Sequence, residues 1–345
     1  MMALQSLLGV ALPIIQAPMA GAQRSALAVA VSSAGGLGSL PTAMLTPDAL
    51  RAELAAIAAQ TTAPYNVNFF CHQQPVPNLE REAAWRAVLA RYYDEFRIAV
   101  ENSPATSGRA PFGPAELAVL REFRPPVVSF HFGLPPADLL AEVRSWGAKI
   151  LASATTVDEA RWLEAHGAEA IIAQGLEAGG HRGMFLTEDV TTQVGTFALL
   201  PQIVRAVRVP VIAAGGIADR AGVEAALALG AAGVQVGTSY LRCPEALTTP
   251  MHRAALASDA ARHTALTNLF SGRPARGIVN RLMRELGPIN ALAPSFPLAT
   301  AAIAPLRAAA ERQGSGDFSP LWAGQNTTGC GELPAGELTR ALGGV

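Results

Sequence analysis

The sequence predicts an α/β fold, a (β/α)8 TIM barrel with a smaller, mostly helical inserted domain. Three observations carry this expectation. Short apolar runs alternate with longer helical segments, the pattern of a parallel sheet with helical crossovers. The runs number about eight, which is what barrel closure requires. The chain has 345 residues, about a third more than the roughly 250 of a bare barrel, so one insertion fits better than two equal domains.

The strands are expected at residues 13–19, 36–40, 65–70, 127–132, 149–153, 170–174, 209–214 and 233–237. Between the fifth and the eighth, the punctuation is regular. Thr156 or Asp158 can cap a helix Val157–Ala165 that ends at His166-Gly167, and the helix Arg220–Leu229 ends at Gly230. Glycine suits these ends because it accepts the left-handed backbone that closes a helix.

Two regions break the alternation. Residues 72–124 form a long connection rich in Arg, Glu and aromatics, with a Pro/Gly/Ser patch around Ser103–Pro114. Residues 243–312 are Ala- and Arg-rich and read as a small helical lid. The expected division is therefore a main barrel over 1–242, a helical subdomain over 243–312 and a return to the barrel over 313–345. The tail holds Ser319-Pro320-Leu321-Trp322-Ala323-Gly324-Gln325, too apolar for a floppy terminus.

Composition excludes several classes. Half the residues are hydrophobic and 15% are charged, so a large core is easily built. The net charge of −1, with no basic run, excludes a nucleic-acid partner, which needs a concentrated basic footprint. Lys149 is the only lysine, which removes the P-loop and most Schiff-base chemistry. Cys71, Cys243 and Cys330 are too scattered for a zinc pair or a disulfide scaffold, and no metal site is expected. The first twenty residues lack a basic start and contain Pro13 and Pro18, so they read as a first strand and not as a signal peptide. No apolar run reaches the ~18 residues of a membrane span. A cytoplasmic protein without a membrane partner is the expectation.

Barrels place functional groups on loops after the C-terminal ends of strands. Gln16, Asn68, His131, Gln174 and Gln235 interrupt or close apolar strands there. A lone polar residue of this kind is more often a satisfied core group, but several on one rim favour a site. Strand seven ends Ala214-Gly215-Gly216-Ile217-Ala218-Asp219 and strand eight ends Gly237-Thr238-Ser239. Backbone N–H groups at glycine turns and helix N-termini attract phosphate without a basic side chain, and barrels bind phosphate after these two strands. Either turn alone would be an ordinary tight connection; together with Thr238 they favour phosphate.

The loop after strand six is Gly175-Leu176-Glu177-Ala178-Gly179-Gly180-His181-Arg182-Gly183. Its glycines allow close backbone approach to a flat ligand while His181 projects an imidazole, the side chain suited to base work near neutral pH. His131 is the second candidate base. His72 beside Cys71 reads as pocket lining or packing, His166 as a helix C-terminal residue favoured by the dipole, and His252 and His263 as structural or exposed.

These motifs, in this order, resemble the nitronate monooxygenase family. The matching stretches are Gln16–Gly21, Asn66–Phe70, Ser129–Gly133, Ala173–Gly183, Ala213–Ile217, Gln235–Ser239 and Leu321–Asn326, spanning nearly the whole chain. The resemblance implies a barrel plus a smaller domain, non-covalent FMN, and oxidation of alkyl nitronates by O₂ to a carbonyl compound plus nitrite or nitrate, without NAD(P)H. It implies that His181 is the catalytic base toward neutral nitroalkanes, and that protonated His181 could orient an anionic nitronate. It implies FMN contacts from Ala17, Pro18, Met19, Asn68, Gln174, Gly179, Gly180, Gly215, Gly216, Gln235, Val236, Gly237 and Thr238. His131, Phe296 and Trp322 would line the substrate pocket. The partners implied are an alkyl nitronate and O₂, with a homodimer as an admissible assembly. A Tyr–Tyr–Lys series expected in the subgroup acting on propionate 3-nitronate is replaced by Phe296, Thr300 and Ala304, so that substrate does not carry over.

Two other readings compete. One is an FMN-dependent reductase of the same architecture, using NAD(P)H on a quinone or an enoyl thioester. The other is a flavin-binding protein without catalysis.

Overall fold

Eight parallel strands form the barrel, and each grows from one of the short apolar runs. They are β1 (Ile14–Gln16), β2 (Gly38–Pro41), β3 (Tyr65–Phe70), β4 (Val127–His131), β5 (Lys149–Ala154), β6 (Ala170–Gln174), β8 (Val211–Ala214) and β9 (Gly233–Val236). Between β6 and β8 the short strand β7 (Gly180–His181) leaves the barrel for a different sheet. The chain is seen here as a computed structural model that describes residues 4–99 and 109–345. The first half of the Pro/Gly/Ser patch expected around Ser103–Pro114 lies outside the described residues.

The hydrogen-bonded order is β1-β9-β8-β6-β5-β4-β3-β2. A parallel bridge between Ile15 and Leu37 joins the two ends, through Gln16 N–H to Leu37 O and Leu37 N–H to Ile14 O, each 2.9 Å. The architecture is a (β/α)8 barrel. Its strands are buried on both faces, against the helices outside and against one another inside, as parallel strands are. Outside, Val31, Leu200, Ile203 and Val223 pack with Ile171 and Val211.

The barrel interior is partly polar, and most of the polar groups in its inner layer are paired, as burial demands. Asn66 Nδ2 donates to Ser39 Oγ at 3.0 Å and Ser129 Oγ at 2.9 Å. Asn68 Nδ2 donates to Ser129 Oγ at 2.9 Å. Gln16 belongs to this layer: it is fully buried, its Oε1 accepts the Ser39 N–H at 3.0 Å, and its Nε2 donates to Gln23. Its position on the rim of a strand suggests a site residue, but it is a satisfied core group.

Helix boundaries follow the capping residues. Thr156 accepts the Glu159 N–H at 3.2 Å at the head of Val157–Ala165, and Gly167 turns left-handed at φ +100° after it. Asp219 caps Arg220–Ala228 through the Gly222 N–H at 2.9 Å, and Gly230 ends it at φ +100°.

A second, smaller sheet lies outside the barrel order. It is three-stranded and antiparallel, with β10 (Thr264–Thr267) beside β11 (Ala275–Ile278) beside β7. The segment 243–312 reads as helical from sequence, and it does contain helices Pro250–Ala257, Arg281–Leu286 and Ala299–Arg312. β10 and β11 escape notice because each has four residues, too few to show a two-residue period among alanines and arginines. The long connection sends its helix Leu79–Phe96 to this body. There Trp85, Leu89 and Tyr92 share one cluster with Ile303, Leu306 and Phe318. The final helix Ala335–Gly343 returns to the barrel, where Thr339 Oγ1 meets Tyr240 OH at 2.8 Å. Among the described residues no helix is long and apolar enough to cross a membrane.

Candidate active site

At the C-terminal ends of the strands lies a cavity of about 330 Å³, in the size range of small-molecule sites. Ala17, Pro18 and Met19 line it after β1, Asn68 in β3, His131 at the end of β4 and Gln174 at the end of β6. Gly179, Gly180 and His181 enter from the loop after β6, Gly215 and Gly216 from the turn after β8, and Gln235, Gly237 and Thr238 from β9 and its end. Trp322 closes one side from the C-terminal segment. Two expected residues stand behind the wall. Val236 is buried in the barrel core, and its carbonyl accepts the Ala17 N–H at 2.8 Å. Phe296 packs edge-on against His181, with centroids 5.2 Å apart. Of the other two positions in its series, Thr300 donates its hydroxyl to Phe270 O at 3.0 Å and Ala304 is solvent-exposed.

The His181 loop is fixed from several directions. Gln174 Nε2 donates to His181 O at 2.9 Å, and its Oε1 accepts the Gly183 N–H at 2.7 Å. Arg182 is fully buried. Its guanidinium donates to Gln174 O and Gly175 O, each at 2.7 Å, and to Gln193 Oε1 at 2.9 Å. Glu177 reaches the first turn of Thr196–Ala206 and accepts from Thr196 N at 2.8 Å and from Thr196 Oγ1 at 2.8 Å, a favourable place for a carboxylate. β7 pairs with β11, placing His181 opposite Ala275. Gly179 is needed for a close approach, but to protein. A Cβ there would stand 2.6 Å from the backbone of Ala323 and Gly324.

His181 is partly buried and ringed by Phe70, Phe132, Phe296 and Trp322. Its Nε2 lies 2.8 Å from Ser271 Oγ. Burial pushes its pKa well below 6.5, and the positive charge of Arg109 pushes the same way, followed by His131, Arg273 and His72. The ring is therefore neutral at pH 7, which suits a base. His131 is pushed down to about 3, mainly by burial. Its Nε2 lies 3.2 Å from His181 O. A carbonyl only accepts, so His131 carries its proton on Nε2. It shares the His181 carbonyl oxygen with Gln174 Nε2 as a second donor.

The remaining histidines divide. His72 is buried edge-on against Phe296 at 4.8 Å, with its pKa near 4 from desolvation. His166 stacks on Trp162 at 3.8 Å and bonds its carbonyl at 2.7 Å. His263 is exposed. His252 reads as structural or exposed from sequence, yet it lines the cavity; burial lowers its pKa to about 4, and its Nε2 is buried without a partner among the described residues. Arg109, Thr248 and Arg307 also line the cavity. They come from the long connection and the insertion, where no local motif marks them.

The turns after β8 and β9 are tied together by the C-terminal segment. Asn326 Nδ2 donates to Gly216 O at 2.9 Å, and Thr238 Oγ1 accepts the Gly324 N–H at 2.9 Å. Gly216 is left-handed at φ +73°, a conformation glycine adopts without strain. Gln235 lines the cavity, and its Oε1 is buried with no partner among the described residues. Such an atom costs about 1–3 kcal/mol without a donor, so a ligand N–H at this spot would be favoured.

Fold and site together define a barrel enzyme with a deep small-molecule cavity. The sequence profile of the nitronate monooxygenase family matches residues 2–343. The nitronate monooxygenase of Paraburkholderia phytofirmans is 44% identical, with 99% of this chain and 93% of that protein covered. That of Pseudomonas aeruginosa is 42% identical over 97% and 96%. A crystal structure of nitroalkane oxidase from Streptomyces ansochromogenes superposes with a TM-score of 0.90 at 40% identity, covering 99% of this chain and 96% of the other. The chain belongs to the nitronate monooxygenase family, and it is an oxidoreductase.

Proposed function

We propose that this enzyme oxidises alkyl nitronates, and neutral nitroalkanes through them, using FMN and O₂ to give a carbonyl compound and nitrite or nitrate without NAD(P)H. The observation that carries the reading is His181, a neutral imidazole on the wall of a cavity whose described lining residues include no Asp or Glu. A base of this kind suits proton removal from carbon.

The residues present fit FMN. The unpartnered Gln235 Oε1 suits a ring N–H, and the Gly215-Gly216 and Gly237-Thr238 turns suit a phosphate. Asn68, Gln174, Gly179, Gly180 and the backbone of Ala17–Met19 would complete its shell. When bound, FMN supplies the electron acceptor that passes electrons on to O₂. The chain does the rest. His181 takes the proton from the carbon bearing the nitro group, Gln174 and His131 hold its backbone, and Phe70, Phe132, Phe296 and Trp322 exclude water around its ring.

Anaerobic reduction of the bound flavin tests this. Propyl-2-nitronate should bleach it within turnover time, and NADH or NADPH should leave it yellow. Rapid bleaching by NAD(P)H, with none by nitronate, would favour a reductase. Protein that takes up no flavin would remove the catalytic reading.

A further inference from the structure

We propose that Arg109 is a further catalytic residue: its guanidinium binds the nitro oxygens of the substrate and holds the negative charge that grows on them while His181 takes the α proton. This rests on the reading of His181 as the base.

Arg109 and His181 line the same cavity and flank the same ring. The guanidinium carbon lies 5.7 Å from the centroid of Phe296, and the imidazole centroid lies 5.2 Å from it. Nη1 of Arg109 is buried and has no hydrogen-bond partner among the described residues, an arrangement that an acceptor oxygen from a ligand would relieve. The described residues of the wall offer no carboxylate to neutralise the charge. Arg307, the other arginine of the wall, directs its Nε to Glu311 at 2.7 Å. Arg273 stacks on Phe132 at 4.1 Å and donates to Met184 O.

The chemistry asks for such a group. The C–H bond next to the nitro group breaks and its proton goes to the imidazole lone pair. The electron pair moves through the new C=N bond onto the nitro oxygens, leaving a nitronate anion. No oxidant enters this step. Two coplanar oxygens match the planar fork of a guanidinium, and donors already in place where charge develops act strongly in a dry site. His181 begins neutral and cannot hold the anion itself until it has taken the proton.

The test uses the FMN-loaded enzyme and its Arg109→Gln, Arg109→Lys and Arg307→Gln variants. Arg109→Gln should lower kcat/KM for nitroethane by about a hundredfold, with Arg109→Lys recovering part of it. Loss of the positive charge lets the His181 pKa rise, so the acid limb of the pH profile should move to higher pH in Arg109→Gln and stay near the wild-type position in Arg109→Lys, which keeps the charge. The groups facing His181 are Arg109, His131, Arg273 and His72, and Arg307 faces Arg109. A second readout needs no turnover. Nitrate, a planar anion, should bind the wild type in calorimetry at pH 8, about tenfold more weakly to Arg109→Gln and undiminished to Arg307→Gln. An unmoved limb with unchanged nitrate affinity in Arg109→Gln, or nitrate binding lost in Arg307→Gln alone, overturns the assignment. A wild type that oxidises no nitronate defeats the proposed function, and the nitrate arm then decides Arg109 on its own.

Discussion

Gln174 holds His181 by its main chain: the amide nitrogen donates to His181 O at 2.9 Å while the amide oxygen takes the Gly183 N–H at 2.7 Å. Both sides of one side chain are thus engaged by the loop it supports. Gln174→Leu should cost about 2 kcal/mol of stability through the groups left unpaired. Activity on neutral nitroalkane should fall about tenfold as the base loses its register. Urea denaturation and steady-state kinetics measure the two effects, and wild-type values in both would show that the bracket is idle.

Replacing His181 by Asn separates proton removal from the oxidation of the anion it produces. Turnover of nitroethane should drop by about 10²–10⁴, whereas ethyl nitronate, already deprotonated, should lose far less. Equal losses on both substrates would take proton abstraction away from His181.

Arg182→Met removes a buried cation with three acceptors. About 3 kcal/mol of stability should go with it, since Gln174 O, Gly175 O and Gln193 Oε1 lose their donor. The shift in urea midpoint is the measurement, with Arg182→Lys falling between the two.

Acid should destabilise the fold before its carboxylates titrate. His131, His72 and His252 are held near 3, 4 and 4, and His181 also lies below 6.5. All four are neutral in the folded state and protonate on unfolding near pH 6.5, so stability is complete above 6.5 and declines as pH falls toward the folded values. Each contributes a slope approaching ~1.4 kcal/mol per pH unit in that window. Stability of His72→Phe against the wild type between pH 6.5 and 4.5 should show a shallower decline; parallel curves would count against the assignment.

Gly179→Ala should injure both fold and catalysis, because the added methyl would stand 2.6 Å from the backbone of Ala323 and Gly324. Gly180→Ala makes an informative comparison, since its methyl would meet nothing within 4 Å and only its φ of +73° resists it. Gly179→Ala should be the more damaging by thermal denaturation.

The barrel is legible in the sequence because its strands are short, apolar and separated by regular glycine stops. β3 and β6 begin and end where the apolar runs do, and Val157–Ala165 matches its caps. The rim residues Asn68, His131, Gln174 and Gln235 converge for the same reason, since strand ends dictate where they meet. Gln16 misleads because sequence does not show that Gln23 and Ser39 arrive to pair with it. Arg109, His252 and Arg307 carry no mark in the sequence because the tertiary path of 72–124 and 243–312 brings them in, and no local period records that path. The direction of the His181 pKa shift depends on the same path.

The pairing of β7 with β11 has a mechanical meaning. His181 belongs to the barrel by sequence and to the smaller sheet by hydrogen bonding, opposite Ala275. The imidazole of His181 therefore rides on the seam between the barrel and the smaller sheet, and β11 sets its position as much as the barrel does. Grafting the insertion of a relative onto this barrel would exchange the strand that holds His181 together with the cavity wall at Thr248, His252 and Arg307, so any change of substrate would come with a change in the setting of the imidazole.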